Sequence, residues 1–469
     1  MRLTIACLLS AAAAAALPAC NGGGGDELAQ AFRSAAPAPS PAVAPAPPSP
    51  PSPPSRPARA GGGGDELAQA FRRDAPAAAP QVAPAGRPGA SERAMTVLVR
   101  LAGHRSARVR AAAAEGLGES RSAEAAAPLG RLSADPSAAV RESAARAMGL
   151  VRAPGTAKRL VGMLADPDRP VRDAAARSLE TVSSETISGD LEAVMMSPGV
   201  AGPKAAAALA LGRTGSKGSE AALVSMISSD EAEVAAAAAA ALAHLGNVRG
   251  LATLGRFTSK EHPVSVRLTA ADGLSRLGSP VAAVHLREML AGDRAPEVRA
   301  AAAEGLGATG AKGSAWALMR ALDDRSARVR IAAAEALGAL GDRNAVKVLA
   351  RDLATGPLWA KAHAARALGS MRTSAARKAL SAAARSGDGL VAVHALGSLV
   401  RMGVAGSPAR LRSHLDSRDV SIRIEAANVL GRVGRAADAT ALAAGLDDPV
   451  AEVRAAAAAG VMRLVSTRR

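Results

Sequence analysis

The sequence contains very few aromatic residues. Its 469 residues include three phenylalanines, two tryptophans and no tyrosine, although 49% of the chain is hydrophobic. A single globular core of this length would normally use more aromatic side chains, whereas stacked thin helices need small residues that allow close approach. The absence of tyrosine also argues against a surface on which nucleic-acid bases stack. The composition therefore favours an alanine-rich helical protein.

The sequence also lacks the groupings that catalysis and metal binding require. It has two cysteines, Cys7 and Cys20, and its seven histidines form neither an HExxH nor a His-x-x-x-His pair. Its glycine runs lack the GK[ST] of a phosphate-binding loop. His363 and His394 occupy equivalent places in adjacent repeats, where helix packing would hold them about 10 Å apart, too far to share a metal ion. We predict no catalytic residue, no cofactor and no metal.

The dominant feature of the chain is an internal repeat. The stretch 324–338 recurs along the chain, and we call Arg330 and its equivalents the anchors of the repeat units. Successive anchors are 31 or 32 residues apart and define twelve units. The anchors are Arg110, Arg141, Arg172, Lys204, Ala235, Arg267, Arg299, Arg330, Lys361, Ala392, Arg423 and Arg454.

Each unit carries the same narrow apolar stripe. The third residue after the anchor is always alanine, and the seventh is always a larger apolar residue, as in Ala333 and Leu337. Residues at this spacing share one face of a helix. Units this small cannot bury the stripe alone and must stack on their neighbours. We predict an all-α fold, an α-solenoid of about twelve helix-turn-helix repeats over residues 92–469.

Local signals agree with the period of the repeat. In the second unit we predict a first helix over 123–132, a turn over 134–137 and a second helix over 140–151. Many second helices are followed by glycine eleven residues after the anchor, which suits a left-handed helix end. These glycines are Gly215, Gly246, Gly278, Gly310, Gly341, Gly403 and Gly434. We expect Trp316 and Trp359 to fill gaps between helices.

The N-terminus reads as an export signal. A charged start and a short apolar run precede Leu17-Pro18-Ala19-Cys20, a sequence that resembles the bacterial lipobox. We predict a lipoprotein signal peptide over 1–19 and lipidation of Cys20, with an ordinary secretory signal as the alternative. By analogy with lipoprotein sorting, Asn21 favours the outer membrane over the inner membrane. The expected location is the cell envelope, with the chain lipid-anchored and facing the periplasm.

Residues 20–91 read as a disordered tether rich in proline, glycine and alanine. Between Pro37 and Ala60, 11 of 24 residues are proline, a composition that favours extended chain without a core. Within the tether, GGGGDELAQAFR occurs twice, at 22–33 and 61–72. The two copies could be short docking motifs with small apolar faces, or a duplication without a role, which we favour. The possible docking residues are Leu28, Phe32, Leu67 and Phe71.

The repeated pattern Asp-Pro-x-x-x-Val-Arg-x-x-Ala-x-x-x-Leu-Gly resembles the HEAT repeat, especially the short form in phycobilin-lyase-like proteins. The resemblance implies a structural ladder in which turn acids and helix arginines bond between neighbouring units. It should be interrupted at Ala235 and Ala392, which replace the basic anchor. The acids lie six residues before the anchors, and the expected ladder residues are Asp135, Arg141, Asp166, Arg172, Asp293, Arg299, Asp324, Arg330, Asp448 and Arg454.

The positive charge of the chain has a structural explanation. There are 58 basic and 41 acidic residues, giving a formal net charge of +17. Such an excess can indicate a polyanionic partner. However, ten of the twelve anchors are basic, and the resemblance assigns them to the ladder. We therefore expect no nucleic-acid partner, while attraction to anionic envelope surfaces remains a third interpretation, which predicts loss of binding with added salt.

The remaining feature that could carry a function is the concave surface of the repeat array. Twelve stacked helix pairs predict a curved rod on the order of 100 Å long with one continuous concave face. By family analogy the second helices line this face, and the mixed charges five residues after the anchor suggest a protein or peptide partner. The possible partner-binding residues are Glu115, Arg146, Arg177, Asp272, Glu304, Glu335 and Arg366.

The sequence thus predicts a non-enzymatic, lipid-anchored scaffold that mediates protein–protein interaction in the bacterial cell envelope. The alternative is a lyase-like or glycosylase-like enzyme or enzyme subunit, because proteins of those kinds share such helices. A convergent polar cluster around a closed pocket would favour the enzyme, and an open groove would favour the scaffold.

Overall fold

The computed structural model describes residues 89–466 except 152, 183–186, 311 and 341–344. The chain divides into two units, residues 1–87 and 88–469. Several predicted features lie outside the described residues: the signal peptide, the predicted lipidation site Cys20, the predicted tether up to residue 88 and both copies of the duplicated segment. All of the helices described belong to the second of the two units.

The described part of the chain is built from α-helices joined by turns, with no strand within it. The helices are α1 Ala90–Leu101, α2 Ala107–Glu119, α3 Ala126–Leu132, α4 Ala138–Val151, α5 Thr156–Met163, α6 Arg169–Val182, α7 Ser188–Met196, α8 Ala201–Thr214, α9 Glu220–Met226, α10 Ala232–His244, α11 Leu251–Arg256, α12 Val264–Leu277, α13 Pro280–Gly292, α14 Pro296–Thr309, α15 Ala315–Ala321, α16 Ala327–Ala339, α17 Ala345–Thr355, α18 Leu358–Met371, α19 Ser374–Ala383, α20 Gly389–Arg401, α21 Ser407–Ser413, α22 Val420–Val433, α23 Ala439–Ala444 and α24 Ala451–Ser466.

These helices form the twelve predicted pairs, and the all-α solenoid is confirmed. Odd-numbered helices are the first of each pair, and even-numbered helices, which carry the anchors, are the second. In the second unit a 3₁₀ turn at Ala123–Ala125 leads into α3, and α4 follows after the predicted turn. The even-numbered helices pack on one another from unit to unit, so they form a continuous layer with the odd-numbered helices outside it.

The core consists of the two predicted rows of the apolar stripe. All twelve alanines and all twelve larger residues are at most 3% exposed. The alanines are Ala113, Ala144, Ala175, Ala207, Ala238, Ala270, Ala302, Ala333, Ala364, Ala395, Ala426 and Ala457. The larger residues are Leu117, Met148, Leu179, Leu211, Leu242, Leu274, Leu306, Leu337, Leu368, Leu399, Leu430 and Val461.

Most of the predicted glycine helix ends are left-handed. Gly215, Gly246, Gly278, Gly310 and Gly403 have φ between 58° and 80°, while Gly341 lies outside the described residues. The prediction was wrong for Gly434, whose φ is −71°. Glycine is favoured at position 434 for a steric reason instead, because a Cβ there would lie 2.5 Å from the backbone carbonyl oxygen of Leu430.

The expectation that the two tryptophans fill gaps between helices was wrong. Trp316 is 64% exposed and Trp359 is 45% exposed. Instead, the guanidinium of Arg320 lies over the exposed ring of Trp316 on α15, with its Cζ 5.1 Å from the centroid of the ring. None of the described helices combines the length and the apolar character that crossing a bilayer requires.

A ladder of arginines and aspartates joins neighbouring units. Arg299 shows the pattern: its Nε and Nη2 donate to the two carboxylate oxygens of Asp324 in the next unit, at 2.8 and 2.9 Å. Its Nη1 donates to the main-chain carbonyl oxygen of Asp293 in its own unit, at 2.8 Å. The same two-pronged bond joins Arg110 to Asp135, Arg141 to Asp166, Arg267 to Asp293 and Arg423 to Asp448.

The ladder pairs each turn acid with the anchor of a neighbouring unit. The carboxylate six residues before an anchor is bound by the anchor of the preceding unit, and its own anchor reaches only its carbonyl oxygen. Arg330 binds Asp352 on α17, a partner that the sequence pattern did not identify. In the first rung, the hydrogen bond from Arg110 lowers the pKa of Asp135, and this effect outweighs the rise that burial alone would cause.

The solenoid closes on itself, which corrects the curved rod predicted from the sequence. The last helix, α24, packs against both α1 and α2 of the first unit. Each even-numbered helix therefore contacts the even-numbered helices of its two neighbouring units, including α24 with α2, and the twelve units close into a ring. We call the contact between the first and twelfth units the seam.

The seam combines apolar packing with ion pairs. A Cβ on Gly116 of α2 would lie 3.2 Å from the Cβ of Ala459 on α24, so the two helices are in close contact. Arg463 of α24 forms an ion pair with Glu119. Arg93 of α1 lies 2.7 Å from Asp447. The twelfth unit therefore uses the first as its next neighbour.

Candidate binding surface on the inner helices

The seven predicted partner-binding residues lie on seven even-numbered helices, at equivalent positions in their repeat units. Glu115, Arg177 and Glu304 remain accessible to solvent although protein surrounds them, and the other four are half-buried. We call this set the charged row. Its members are Glu115 on α2, Arg146 on α4, Arg177 on α6, Asp272 on α12, Glu304 on α14, Glu335 on α16 and Arg366 on α18.

The charged row lies on the inside of the ring, because side chains from units that are not neighbours meet there. Arg213 of the fourth unit lies 3.3 Å from Asp272 of the sixth. Arg276 of the sixth unit lies 3.9 Å from Glu180 of the third. Such contacts are possible only across the concave side of a curved layer. The inner face of the third to sixth units is consequently crossed by side chains rather than open.

Alanine makes this tight curvature possible. Every residue of α10 from Val234 to Ala243 is buried, so the helix is covered on all sides. A Cβ on Gly212 of α8 would lie 2.4 Å from the Cα of Ala241, and one on Gly273 of α12 would lie 2.9 Å from the Cα of Ala240. Only glycine and alanine allow helix backbones to approach this closely.

A polar network, which we call the histidine cluster, occupies this curved part of the inner face. His244 Nε2 lies 3.1 Å from an Asp272 carboxylate oxygen, and Arg276 Nε donates to His244 Nδ1 at 3.1 Å. The neutral ring therefore carries its proton on Nε2 and donates it to Asp272. Burial alone would raise the pKa of Asp272, but the hydrogen bond from His244 and the charge of Arg213 lower it to about 2.

A second group, which we call the acidic pair, lies at Glu304 and Glu335 in adjacent units. Burial and, to a lesser degree, the charge of Glu304 raise the pKa of Glu335 to about 7, against the opposing charge of Arg366. Burial also raises the pKa of Glu304. Arg366 Nη2 lies 2.7 Å from His363 Nδ1. The acidic pair thus presents two carboxyl groups whose protonated forms are favoured by burial.

The acidic pair predicts a dependence of stability on pH. The pKa of Glu335 is about 7 in the folded chain, above its ordinary value of 4.5, so the folded state holds this proton more tightly than the unfolded state. Stability should therefore fall as pH rises from about 4.5 to 7, and level off above that. Glu335→Gln should remove this contribution and stabilise the protein at pH 8 by on the order of 1 kcal/mol. Thermal melts of both proteins from pH 4.5 to 8 measure it, and parallel curves would contradict it.

The first half of the charged row is internally paired. Arg146 lies 3.6 Å from Glu115 and forms a second ion pair with Glu142 on its own helix. Burial raises the pKa of Glu115, and the charge of Arg146 opposes that rise. Burial lowers the pKa of Arg177, which lies near Arg213 and Arg146. This part of the row therefore consists of one acid followed by two arginines, with Glu142 paired to the first of them.

The sequence did not identify the partners of the charged row. Arg213, His244 and Arg276 all lie nine residues after an anchor, on the same side of the inner helices as the row. That shared offset was the available signal. Within the described residues there is no group of three or more metal-ligating side chains.

The comparison with protein families agrees with the repeat architecture. The model of the family described as HEAT repeats matches residues 94–180, 220–307 and 285–369. A search of curated proteins gave no match. The complex of CpcE and CpcF of phycocyanin lyase from Nostoc sp. PCC7120 is 23% identical, with a TM-score of 0.34, over 52% of this chain and 94% of that one. Human deoxyhypusine hydroxylase in complex with glycerol is 22% identical, with a TM-score of 0.28, over 60% and 96%.

Proposed function

The chain belongs to the HEAT-repeat family, and from this premise we propose that it is a non-enzymatic scaffold that binds a protein partner on its inner face. Repeats of this kind present equivalent side chains at regular spacing, which suits an extended polypeptide. Because the ring closes, the partner must enter from its rim as a segment or loop.

The acidic pair supports a partner that carries positive charge. Glu304 forms no hydrogen bond through its side chain within the described residues, and neither does Glu335. A lysine or arginine placed between them would add to the charges of Arg328 and Arg366, which oppose the effect of burial on the two carboxyl groups but do not overcome it. Binding would then release a proton from Glu335 near pH 7. This is the observation that carries the proposal of a basic segment.

Capture of partners from membranes tests this proposal. We expect the double variant Glu304→Gln/Glu335→Gln to lose a partner that the wild-type chain retains, at least tenfold in recovery, because charged contacts contribute about 1.5–3 kcal/mol each. Glu124→Gln, an exposed acid on the outer 3₁₀ turn, is the matched control and should retain the partner. Equal recovery by the double variant would rule out the acidic pair as the binding site. A chain lacking residues 21–91 tests separately whether the duplicated segment contributes.

We further propose that the scaffold is held in the bacterial cell envelope by a lipid on Cys20, facing the periplasm, with the outer membrane favoured. The lipobox-like sequence and the long proline-rich segment after it support this proposal. Cys20→Ser should move the protein from the membrane fraction to the soluble fraction and abolish incorporation of labelled fatty acid. Unchanged fractionation and no labelling of the wild type would instead favour an ordinary secretory signal.

One observation favours a second candidate function, an enzyme or enzyme subunit. The histidine cluster gathers His244, Asp272 and three further charged side chains on the inner face of a closed ring, which is the kind of convergent polar arrangement that a small-molecule site uses. Native mass spectrometry of protein purified from its own cells tests this candidate. A bound small molecule that is lost in His244→Ala would support it, and a bare protein mass would count against it.

A further inference from the structure

The arginine ladder has no completed rung at the seam. In a closed ring the next unit after the twelfth is the first, so Arg454 should bind the carboxylate six residues before Arg110. That position is His104. Arg454 Nη1 makes the usual bonds to its own unit, to the carbonyl oxygens of Asp448 and Pro449 at 2.7 and 3.0 Å. Its Nε and Nη2 have no acceptor among the described residues.

His104 is a substitution within an otherwise intact repeat. Residues 104–110 match residues 324–330 at six of seven places, and the difference is His104 for Asp324. His104 Nδ1 accepts a hydrogen bond from the Ser106 backbone N–H at 3.1 Å, as Asp324 does from Ser326 at 2.7 Å. The turn is therefore preserved. However, the other nitrogen of the neutral ring is an N–H donor, where aspartate would present an acceptor to the arginine.

These unsatisfied donors face a cleft. A cavity of about 790 Å³ at the seam is lined by Arg454, His104, Arg100 and Arg105 among other residues. The acids at its edge are already engaged, because Asp448 binds Arg423 at 2.9 and 3.2 Å and Asp447 binds Arg93 at 2.7 Å. The cleft is thus a concave site with four basic or donor side chains, and the two carboxylates that line it each form an ion pair with another arginine.

Another anchor without a carboxylate shows why the seam differs. Arg172 also lacks an acidic partner among the described residues, but the start of α8 fills the space beside it. A Cβ on Gly202 would lie 2.6 Å from Arg172 Nη2. The protein therefore closes the gap with backbone at Arg172 and leaves it open at Arg454.

We propose that the seam cleft binds the carboxylate of an acidic peptide, which takes the place of the missing aspartate and completes the ladder. The carboxylate accepts from Nε and Nη2 of Arg454 in the two-pronged geometry of the other rungs, and from the N–H of His104. Arg100 and Arg105 attract further negative charge on the same peptide. This site is separate from the inner face, and its occupant has the opposite charge to the basic partner proposed there.

Titration of the full-length protein with a defined peptide tests the proposal. The probe is the acetylated and amidated hexapeptide with the sequence of residues 133–138, which carries a ladder aspartate, and its control has asparagine in place of that aspartate. Calorimetry and NMR of the arginine Nε–H groups should show binding of the aspartate peptide alone, with a shift at Arg454. Arg454→Gln should weaken binding at least tenfold, since bonds to charged groups contribute about 1.5–3 kcal/mol.

A second variant does not depend on damaging the site. His104→Asp restores the repeat sequence, so the carboxylate should be supplied from within, the peptide should no longer bind, and the melting temperature should rise. Arg325→Gln, equivalent to Arg105 in a completed rung, is the matched control and should bind the peptide normally. Equal binding of the asparagine peptide, or binding that survives both Arg454→Gln and His104→Asp, overturns the proposal. Binding of inorganic phosphate with no binding of the aspartate peptide also overturns it.

Discussion

Replacing Ala459 by tryptophan should open the ring. Ala459 faces Gly116 across the seam, where even one additional carbon on the glycine would lie 3.2 Å from the alanine Cβ. An indole has no space there, and overpacking of this kind costs about 1–3 kcal/mol or more, so the seam should separate before the other interfaces do. Small-angle X-ray scattering should show a larger radius of gyration, and hydrogen exchange should increase in α1, α2 and α24.

The control is a tryptophan placed where there is space. Ala382 on α19 is exposed, so Ala382→Trp should leave the scattering curve and the exchange of these helices unchanged. A circular permutant offers an independent check: residue 466 is joined to residue 89 by a short linker, and new ends are made after Gly215. It should fold only if the ends of the repeat array are adjacent. Unchanged scattering for Ala459→Trp, or an unfolded permutant, would contradict the closed ring.

The second large effect is expected from a single methyl group between two inner helices. Gly212 lies on α8, and a Cβ there would lie 2.4 Å from the Cα of Ala241 and 2.7 Å from its carbonyl oxygen. Both are backbone atoms, so the helices themselves must move apart. Gly212→Ala should destabilise the protein by about 1–3 kcal/mol, although alanine is the better helix former.

Gly162 provides the matched control for this change. It lies within α5, and a Cβ added there would have no atom within 4 Å. Gly162→Ala should therefore stabilise the protein by about 0.4–1 kcal/mol, because the unfolded chain loses conformational freedom without any clash in the folded one. Thermal and urea denaturation of the two variants measures the contrast. The same sign for both would mean that close helix approach is not what glycine provides at position 212.

The local structure could be predicted because each unit repeats the same local signals. The alanine and leucine rows fixed which face of each second helix is buried, and the period fixed how many units there are. The anchors and turn acids also identified the ladder, because side chains at fixed positions in stacked units must meet. The seam was beyond prediction, since twelve units close a circle only if each turns by about 30°, and an error of a few degrees in each accumulates over the ring.

The candidate site, too, could be predicted from the sequence only in part. The charged row followed from position alone, since Glu304 and Glu335 occupy the same place in adjacent units. Its partners did not, because Arg213 and Asp272 are 59 residues apart in the chain and meet only where α10 lets the ring curve sharply.

The sequence by itself therefore determined the helices, their pairing, the buried rows and the family of repeat, because all of these depend on contacts within a unit or between immediate neighbours. Only the tertiary structure decided that the ends meet, that the inner face is crossed by ion pairs, and that Arg454 faces a histidine where every completed rung has an aspartate. Those features depend on the small rotation between units summed over the whole array, a quantity set by the shape of each interface and not by any one residue.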